Sequence, residues 1–304
     1  MEESAGKTEY NVERIVFDGM TVPPFVPLKR DAKRRFEEIR NLEYKEDDVI
    51  LTTFPKSGTN WFWEIICMLL KGKAEYVKEA KVSVFLEAIP DLNVVHGLAS
   101  PRALNTHVPY RWLPKQHLER NGKIVHVIRN PKDVAVSMYY HFKSSGNIND
   151  DCHFKTFLEQ IFLSAACPMG SWFDYEKEFE QAKTTDKDHI ILTVHYESMK
   201  KNPIEETRRL GKFLNVELSD QQIADIVDKC SFQKLRHAAE TFKDLSHREK
   251  ITDTGEGAIR KPPNIYRKGE IGDWKNHFTV AMSEHFDTIF REKMKDSNIQ
   301  VQFE

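Results

Sequence analysis

The chain has 304 residues, enough to bury roughly 75% of the surface its unfolded form exposes without a disulfide or metal staple. Hydrophobic residues make up 40% and charged residues 30%, with 13 glycines and 13 prolines, which excludes collagen-like, low-complexity and fibrous chains. Its 47 acidic and 45 basic residues leave a net charge of −2, so neither nucleic acid nor an anionic membrane is the principal partner, although local basic pockets stay open.

Residues 1–30 read as an irregular arm, because Pro23, Pro24 and Pro27 interrupt regular structure. Asp31 can cap a short helix running to about Leu42, with Phe36 and Ile39 on one side. VILTTF at 49–54 has the continuous apolar pattern of a buried strand, Pro55 ends it, and a helix follows from about Thr59 to Lys71. A short strand is predicted at about Ala103–His107. KIVHVI at 123–128 is another, followed by a helix that opens at Pro131 with Asn130 as its N-cap. HIILTVHY at 189–196 is a third, followed by Pro203 and a helix to about Leu214. Apolar spacing of period 3.6 predicts helices at 153–164, 171–183, 219–229 and 279–294.

From about Ala238 to Lys275 the pattern lapses, and a loop that long in a compact chain is usually functional, such as a lid over an active site, or disordered. Neither an internal repeat nor a dividing linker occurs. The expectation is one α/β domain over residues 1–304, with a central, mainly parallel sheet flanked by helices and a phosphate-binding strand–loop–helix of the P-loop kinase kind.

Cys67, Cys152, Cys167 and Cys230 are scattered without CxxC spacing, which removes zinc and redox-motif readings and suits a reducing compartment. The first thirty residues hold no apolar core of signal-peptide length. The most apolar window, WFWEIICMLL at 61–70, contains Glu64 and is ten residues long, whereas a membrane span needs about twenty. A soluble, cytoplasmic protein is expected.

Four segments carry groups suited to chemistry. In Pro55-Lys56-Ser57-Gly58-Thr59-Asn60-Trp61, a lysine, two hydroxyls and an amide sit beside a helix start whose N–H groups are unpaired. That is an anion site of the phosphate-loop kind, or else an ordinary turn. It is not the triphosphate loop G-x-x-x-x-G-K-[ST], because the lysine precedes the only glycine. Arg129 ends a strand and Ser137 lies two turns into the next helix. At the carboxyl end of a parallel strand that arginine would enter the ligand crevice, unless Asp133 pairs it. In Asn105-Thr106-His107-Val108-Pro109, a neutral imidazole can take a proton from a hydroxyl, although any one of twelve histidines is more readily structural. Arg267, Lys268 and Gly269 form a second anion site or a solvated charge pair.

These segments (PKSGTNW, the THVP around His107, IRNPKDVAVSMYYHF and RKGEIGDWKNHF) resemble the cytosolic sulfotransferases in order and spacing, from about Asp47 to Glu284. The resemblance implies transfer of a sulfuryl group from 3′-phosphoadenosine 5′-phosphosulfate (PAPS) to a hydroxyl or amine of a small, largely apolar acceptor such as a phenol, steroid or alcohol, leaving 3′-phosphoadenosine 5′-phosphate (PAP). It implies that Lys56, Ser57, Gly58, Thr59 and Asn60 hold the phosphosulfate and that Trp61 stacks on adenine. Arg129, Ser137, Arg267, Lys268 and Gly269 would bind the 3′-phosphate, and Tyr196, Ser231, Phe232 and Leu235 would complete the cofactor site. His107 falls on the family's general base, Lys56 stabilises the leaving phosphate, Ser137 restrains Lys56, and no metal is needed. Phe85, Asn105, His107 and Phe142 would bind the acceptor, with Trp63, Trp172 and Phe173 as further aromatic walls. Lys275, Thr279, Val280 and Glu284 match a short motif for homodimers.

Two positions depart from the family pattern. Leu235 replaces a methionine by an apolar side chain of similar volume. Asn105 stands where many phenol-type members carry lysine, keeping hydrogen bonding without the charge. It is the one feature that points to the alternative, a non-catalytic cofactor- or acceptor-binding protein on the same fold. A nucleotide kinase lacks both its triphosphate loop and a carboxylate for magnesium.

Overall fold

The protein is described by a computed structural model over residues 14–76, 81–241 and 265–304. The predicted irregular arm is corrected within the described part of 1–30. Ile15–Phe17 (β1) and Met20–Val22 (β2) pair as an antiparallel hairpin, and a helix, Val26–Arg40 (α1), starts ahead of Asp31. The prolines do not prevent this, because Pro27 occupies the first helical turn, where a missing N–H breaks no bond. Asp31 still acts as a cap: its backbone leaves helical geometry at φ −162° and ψ 94°, and its carboxylate accepts the N–H of Arg34 at 2.9 Å. The helix bends there, and Phe36 and Ile39 are buried beyond the bend.

Val49–Thr53 (β3), Ala103–Thr106 (β4), Lys123–Ile128 (β5) and Ile191–His195 (β6) form a parallel sheet in the order β4-β3-β5-β6. Val49 stands opposite both Ala103 and Lys123, and Ile124 opposite Ile191. Every residue of β3 is buried, as expected for a central strand covered on both faces. The chain runs from β3 to β4 on one side and then crosses to β5 on the other. The strand order therefore reverses at β3, and a crevice opens beyond the carboxyl ends of β3 and β5.

Helices fill the crossovers. Thr59–Lys71 (α2) and the short Asn93–His96 (α3) lie between β3 and β4, and Lys115–Glu119 (α4) precedes β5. Pro131–Ser144 (α5), Phe154–Phe157 (α6) and Trp172–Ala182 (α7) connect β5 to β6. Tyr196–Lys201 (α8), Pro203–Phe213 (α9), Asp220–Lys229 (α10), Phe232–Thr241 (α11) and Val280–Lys293 (α12) complete the described helices. Asn130, Ser171, Ser219 and Thr279 cap their helices through side-chain oxygens, which is why those starts were legible.

The predicted loop at 238–275 begins late, because α11 carries helical order to Thr241; its centre, residues 242–264, lies outside the described residues. α12 is tied to α5 by Lys132, whose Nζ lies 2.6 Å from Asp287 and 4.3 Å from the Trp274 ring. The four cysteines are buried and form no disulfide, and among the described residues no helix is long and apolar enough to cross a membrane.

Candidate active site

The loop after β3 turns tightly into α2. Lys56 takes φ 73° and Gly58 φ 102°, and no side chain caps the helix start. Only glycine fits at 58, since a Cβ there would lie 2.9 Å from the Tyr196 ring. Ser57 is fully buried, yet its hydroxyl has no partner. A buried hydroxyl without a bond is costly unless a ligand supplies one, so this atom fits an anion held at the helix start. Burial, and then the charges of Arg129 and Arg267, push the Lys56 amine down to about 8.

Arg129, one residue past β5, closes the other wall. Its guanidinium donates to the carbonyl of Lys56 at 2.9 Å and of Glu270 at 3.4 Å, and stacks 4.2 Å over Tyr196, while its Nε has no partner. Asp133 does not pair with it. That carboxylate accepts the backbone N–H groups of Gly272 (2.8 Å) and Trp274 (2.9 Å), which fastens the late segment to α5.

In that segment Arg267 and Lys268 each donate to Asp273 at 2.6 Å, and Arg267 lies 4.7 Å over Tyr140. Burial acts against ionisation of Asp273, but bonds from Lys268, Asn276 and Arg267 hold its carboxyl well below the usual range. Gly269, at φ 68°, lets the chain touch Phe232, because a Cβ would come 2.3 Å from that ring. Phe232 opens α11, directly after Ser231, and Leu235 is buried one turn on. Trp61 meets Tyr196 edge to face at 5.3 Å. Four cations, an unpaired buried hydroxyl and the rings of Trp61, Tyr196 and Phe232 thus meet across five distant segments. The set suits an aromatic ligand carrying more than one anionic group.

His107 follows β4 as Thr53 ends β3, and the parallel register sets them side by side. The ring Nδ1 lies 2.7 Å from the Thr53 carbonyl, so it bears the proton and leaves Nε2 as the base. Thr53 Oγ1 lies 3.2 Å from the same Nδ1 and 2.7 Å from Thr59 Oγ1, which links the histidine to the anion loop. Burial and then Lys81 push the imidazole down to about 3. Phe85 meets the ring edge to face at 4.9 Å, with Lys81 4.5 Å over the other ring. Glu87 accepts the His107 backbone N–H. Thr53, Glu87 and Lys81 were missed in the sequence; only the strand pairing that joins Thr53 to His107 could have shown the first.

Several predicted acceptor residues turn elsewhere. Asn105 is fully buried, and its amide donates to the carbonyls of Lys81 and Val84, each at 3.1 Å, so it pins the 81–84 segment, while its Oδ1 has no partner. Phe142 is buried on the core face of α5, 5.5 Å from Phe157. Through residues 131–142 only Ser137, Tyr140 and His141 are not buried. Trp63 donates to the Ala103 carbonyl at 2.9 Å between α2 and β4, and Trp172 and Phe173 pack on Phe290. All three belong to the core. Among the described residues no group of histidine, cysteine, aspartate and glutamate could hold a metal ion.

The family model of the sulfotransferase domain matches residues 46–298. Sulfotransferase 1E1 of Bos taurus is 34% identical over 286 residues, covering 90% of this chain and 92% of its own. Sulfotransferase 1A1 of Mus musculus is 34% identical over 281 residues, covering 88% and 92%. The crystal structure of mouse sulfotransferase SULT7A1 complexed with PAP superposes with a TM-score of 0.73 at 27% identity, over 93% of this chain and 95% of that one. Retinol dehydratase in a complex with retinol and PAP shares the fold, with a TM-score of 0.73 at 20% identity over 91% and 88% of the two chains.

Proposed function

Because the chain belongs to the sulfotransferase family, we propose that it uses PAPS to sulfate a hydroxyl, or an amine, of a small, largely apolar acceptor. The observation that carries this reading is the linked pair of strand ends, in which Thr53 bonds both His107 after β4 and Thr59 at the end of the loop that carries Lys56 after β3. When bound, PAPS supplies an activated sulfuryl group whose transfer leaves PAP.

The chain's residues divide the work. His107 Nε2 takes the acceptor proton, with its tautomer fixed by the Thr53 carbonyl. Lys56 neutralises the charge that grows on the departing phosphate. Ser57, Gly58, Thr59, Asn60 and the start of α2 bind the phosphosulfate, and Ser137, on the crevice face of α5, restrains Lys56. Arg129, Arg267, Lys268 and Gly269 bind the 3′-phosphate. Trp61, Tyr196, Ser231, Phe232 and Leu235 enclose the adenine. Phe85 and His107 face the acceptor. By analogy with phosphoryl transfer, positioning and electrostatics do most of the work.

Incubation with sulfur-labelled PAPS and a panel of phenols, steroids, aliphatic alcohols and amines tests the reading. Labelled conjugate from at least one acceptor supports it. PAP binding with no conjugate from any acceptor overturns it in favour of a cofactor-binding protein.

The whole of 1–304 is read as one domain. Four buried cysteines that form no disulfide fit a cytoplasmic setting. The chain pairs as a homodimer through Lys275, Thr279, Val280 and Glu284, a reading favoured by the 75% exposure of Val280. Val280→Glu should shift the dimer to monomer in light scattering.

A further inference from the structure

His141, half-buried on α5, holds a buried polar atom that the proposed chemistry leaves unused. It lies one helical turn beyond Ser137 on the crevice face of α5, so the two side chains project the same way. Tyr140 on that face already lies under Arg267. The anion site thus covers the start of the stripe, and His141 extends it away from the phosphates.

Its Nδ1 is buried and has no hydrogen-bond partner. Burial, and then the charges of Lys56 and His107, hold the ring well below the ordinary imidazole value, so it is neutral. Those are the two groups between which sulfuryl transfer is proposed. A neutral, unpaired ring nitrogen on the crevice face of α5 is free either to accept from a hydroxyl or to donate to a carbonyl. Phe85, edge to face with His107, offers an aromatic wall. A purely apolar acceptor would cover this nitrogen and leave it unbonded, which is unfavourable.

We propose that His141 is a specificity-determining residue of the acceptor pocket, whose Nδ1 hydrogen-bonds a second oxygen function on the acceptor, so that the preferred acceptors are aromatic rings bearing two oxygen groups. This rests on the sulfotransferase reading above. A phenylalanine at 141 would pack equally well against a ring but would lose the discrimination.

The test compares 2-naphthol with the isomeric dihydroxynaphthalenes, both as kcat/KM with PAPS and as affinity for the protein–PAP complex by fluorescence titration. Wild type should favour at least one diol over 2-naphthol by about tenfold or more, since a site built to bond a hydroxyl rejects the analogue that lacks it. His141→Phe should bring that ratio close to one. His141→Asn, which keeps a polar atom near the place of Nδ1, should hold it within about threefold of wild type.

No diol preference in wild type, or an undiminished preference in His141→Phe, overturns the assignment. Should His141→Phe fail to fold, a crystal structure of wild type with PAP and the preferred diol decides. The second hydroxyl on Nδ1 supports the assignment, and its placement elsewhere ends it. If no acceptor is sulfated but the affinity ratio behaves as stated, the function falls while the role of His141 stands.

Discussion

The Nδ1 nitrogen of His107 lies 2.7 Å from the carbonyl oxygen of Thr53. A carbonyl only accepts, so the proton sits on Nδ1 and the lone pair on Nε2. Parallel register makes the contact, because Thr52 stands opposite Thr106 and the next residue of each strand follows side by side. The same threonine bonds Thr59 through its hydroxyl at 2.7 Å, so one residue orients the base and steadies the anion loop.

His107→Ala should lower kcat/KM by about 10²–10⁴-fold, the range for a general base. PAP affinity, read by calorimetry, should change by less than about threefold, because the ring bonds the strand end and not the phosphates. Comparable losses of affinity and turnover would remove His107 from the chemistry. With its imidazole at about 3, the ring is neutral throughout the physiological range. The acid limb of the wild-type pH profile should therefore not follow an ordinary imidazole near 6.5.

Lys56 sets the opposite limb. Its amine, held down to about 8, loses its charge as the pH rises through that value in the free enzyme. Since kcat/KM for the cofactor reports the free enzyme, it should fall above about pH 8. Lys56→Arg carries a charge that does not titrate, so its profile, although lower throughout, should stay flat on the alkaline side. An alkaline limb unchanged in that variant would assign the ionisation to another group.

Glu87 makes the fold sensitive to pH. Its carboxyl is fully buried, and burial raises it to about 7, against the bond from the His107 N–H. The folded protein therefore binds a proton that the unfolded chain gives up above its lower, ordinary value. The resulting stability is complete in acid and is lost as pH rises from about 4.5 to about 7, at most about 3 kcal/mol. Glu87→Gln keeps an oxygen for the His107 N–H and should abolish this slope. Urea midpoints of the two proteins should then diverge between about pH 5 and pH 7, with the variant the more stable at the upper end. Parallel curves would show that Glu87 keeps its charge.

The parts of the site that a local pattern encodes were legible. Pro55 and Pro131 mark where strands give way to helices, and beside them the Arg129 guanidinium meets the Lys56 carbonyl. What needed three dimensions was lost. Successive helix residues differ by about 100°, so Phe142 lies on the core face of α5 while His141 beside it is only half-buried. Asn105 was read as facing the acceptor, but carbonyls more than twenty residues earlier claim its amide. Thr53 has no motif, and its role exists only through the strand beside it. The hairpin at residues 15–22 hid behind prolines that lie just after it.

Position 105 separates the family pattern from this chain's own packing. If position 105 faced the sulfuryl group, Asn105→Lys would restore a helpful cation and raise turnover. Here the side chain is buried, with its two N–H groups given to the carbonyls of Lys81 and Val84, and the Lys81 charge already acts on His107. A lysine must displace those bonds and place a second cation beside the first. At about 1 kcal/mol for each bond, the loss is about 2 kcal/mol, or roughly 4–8 °C in Tm at 2–4 °C per kcal/mol. Asn105→Asp, alike in shape, sets a carboxylate oxygen against two carbonyls and should be the less stable of the two in the same melting scans. Turnover by Asn105→Lys should fall, because the 81–84 segment carries Phe85 and Lys81 against His107. A variant that melts with wild type and turns over faster would show that residue 105 reaches the acceptor after all.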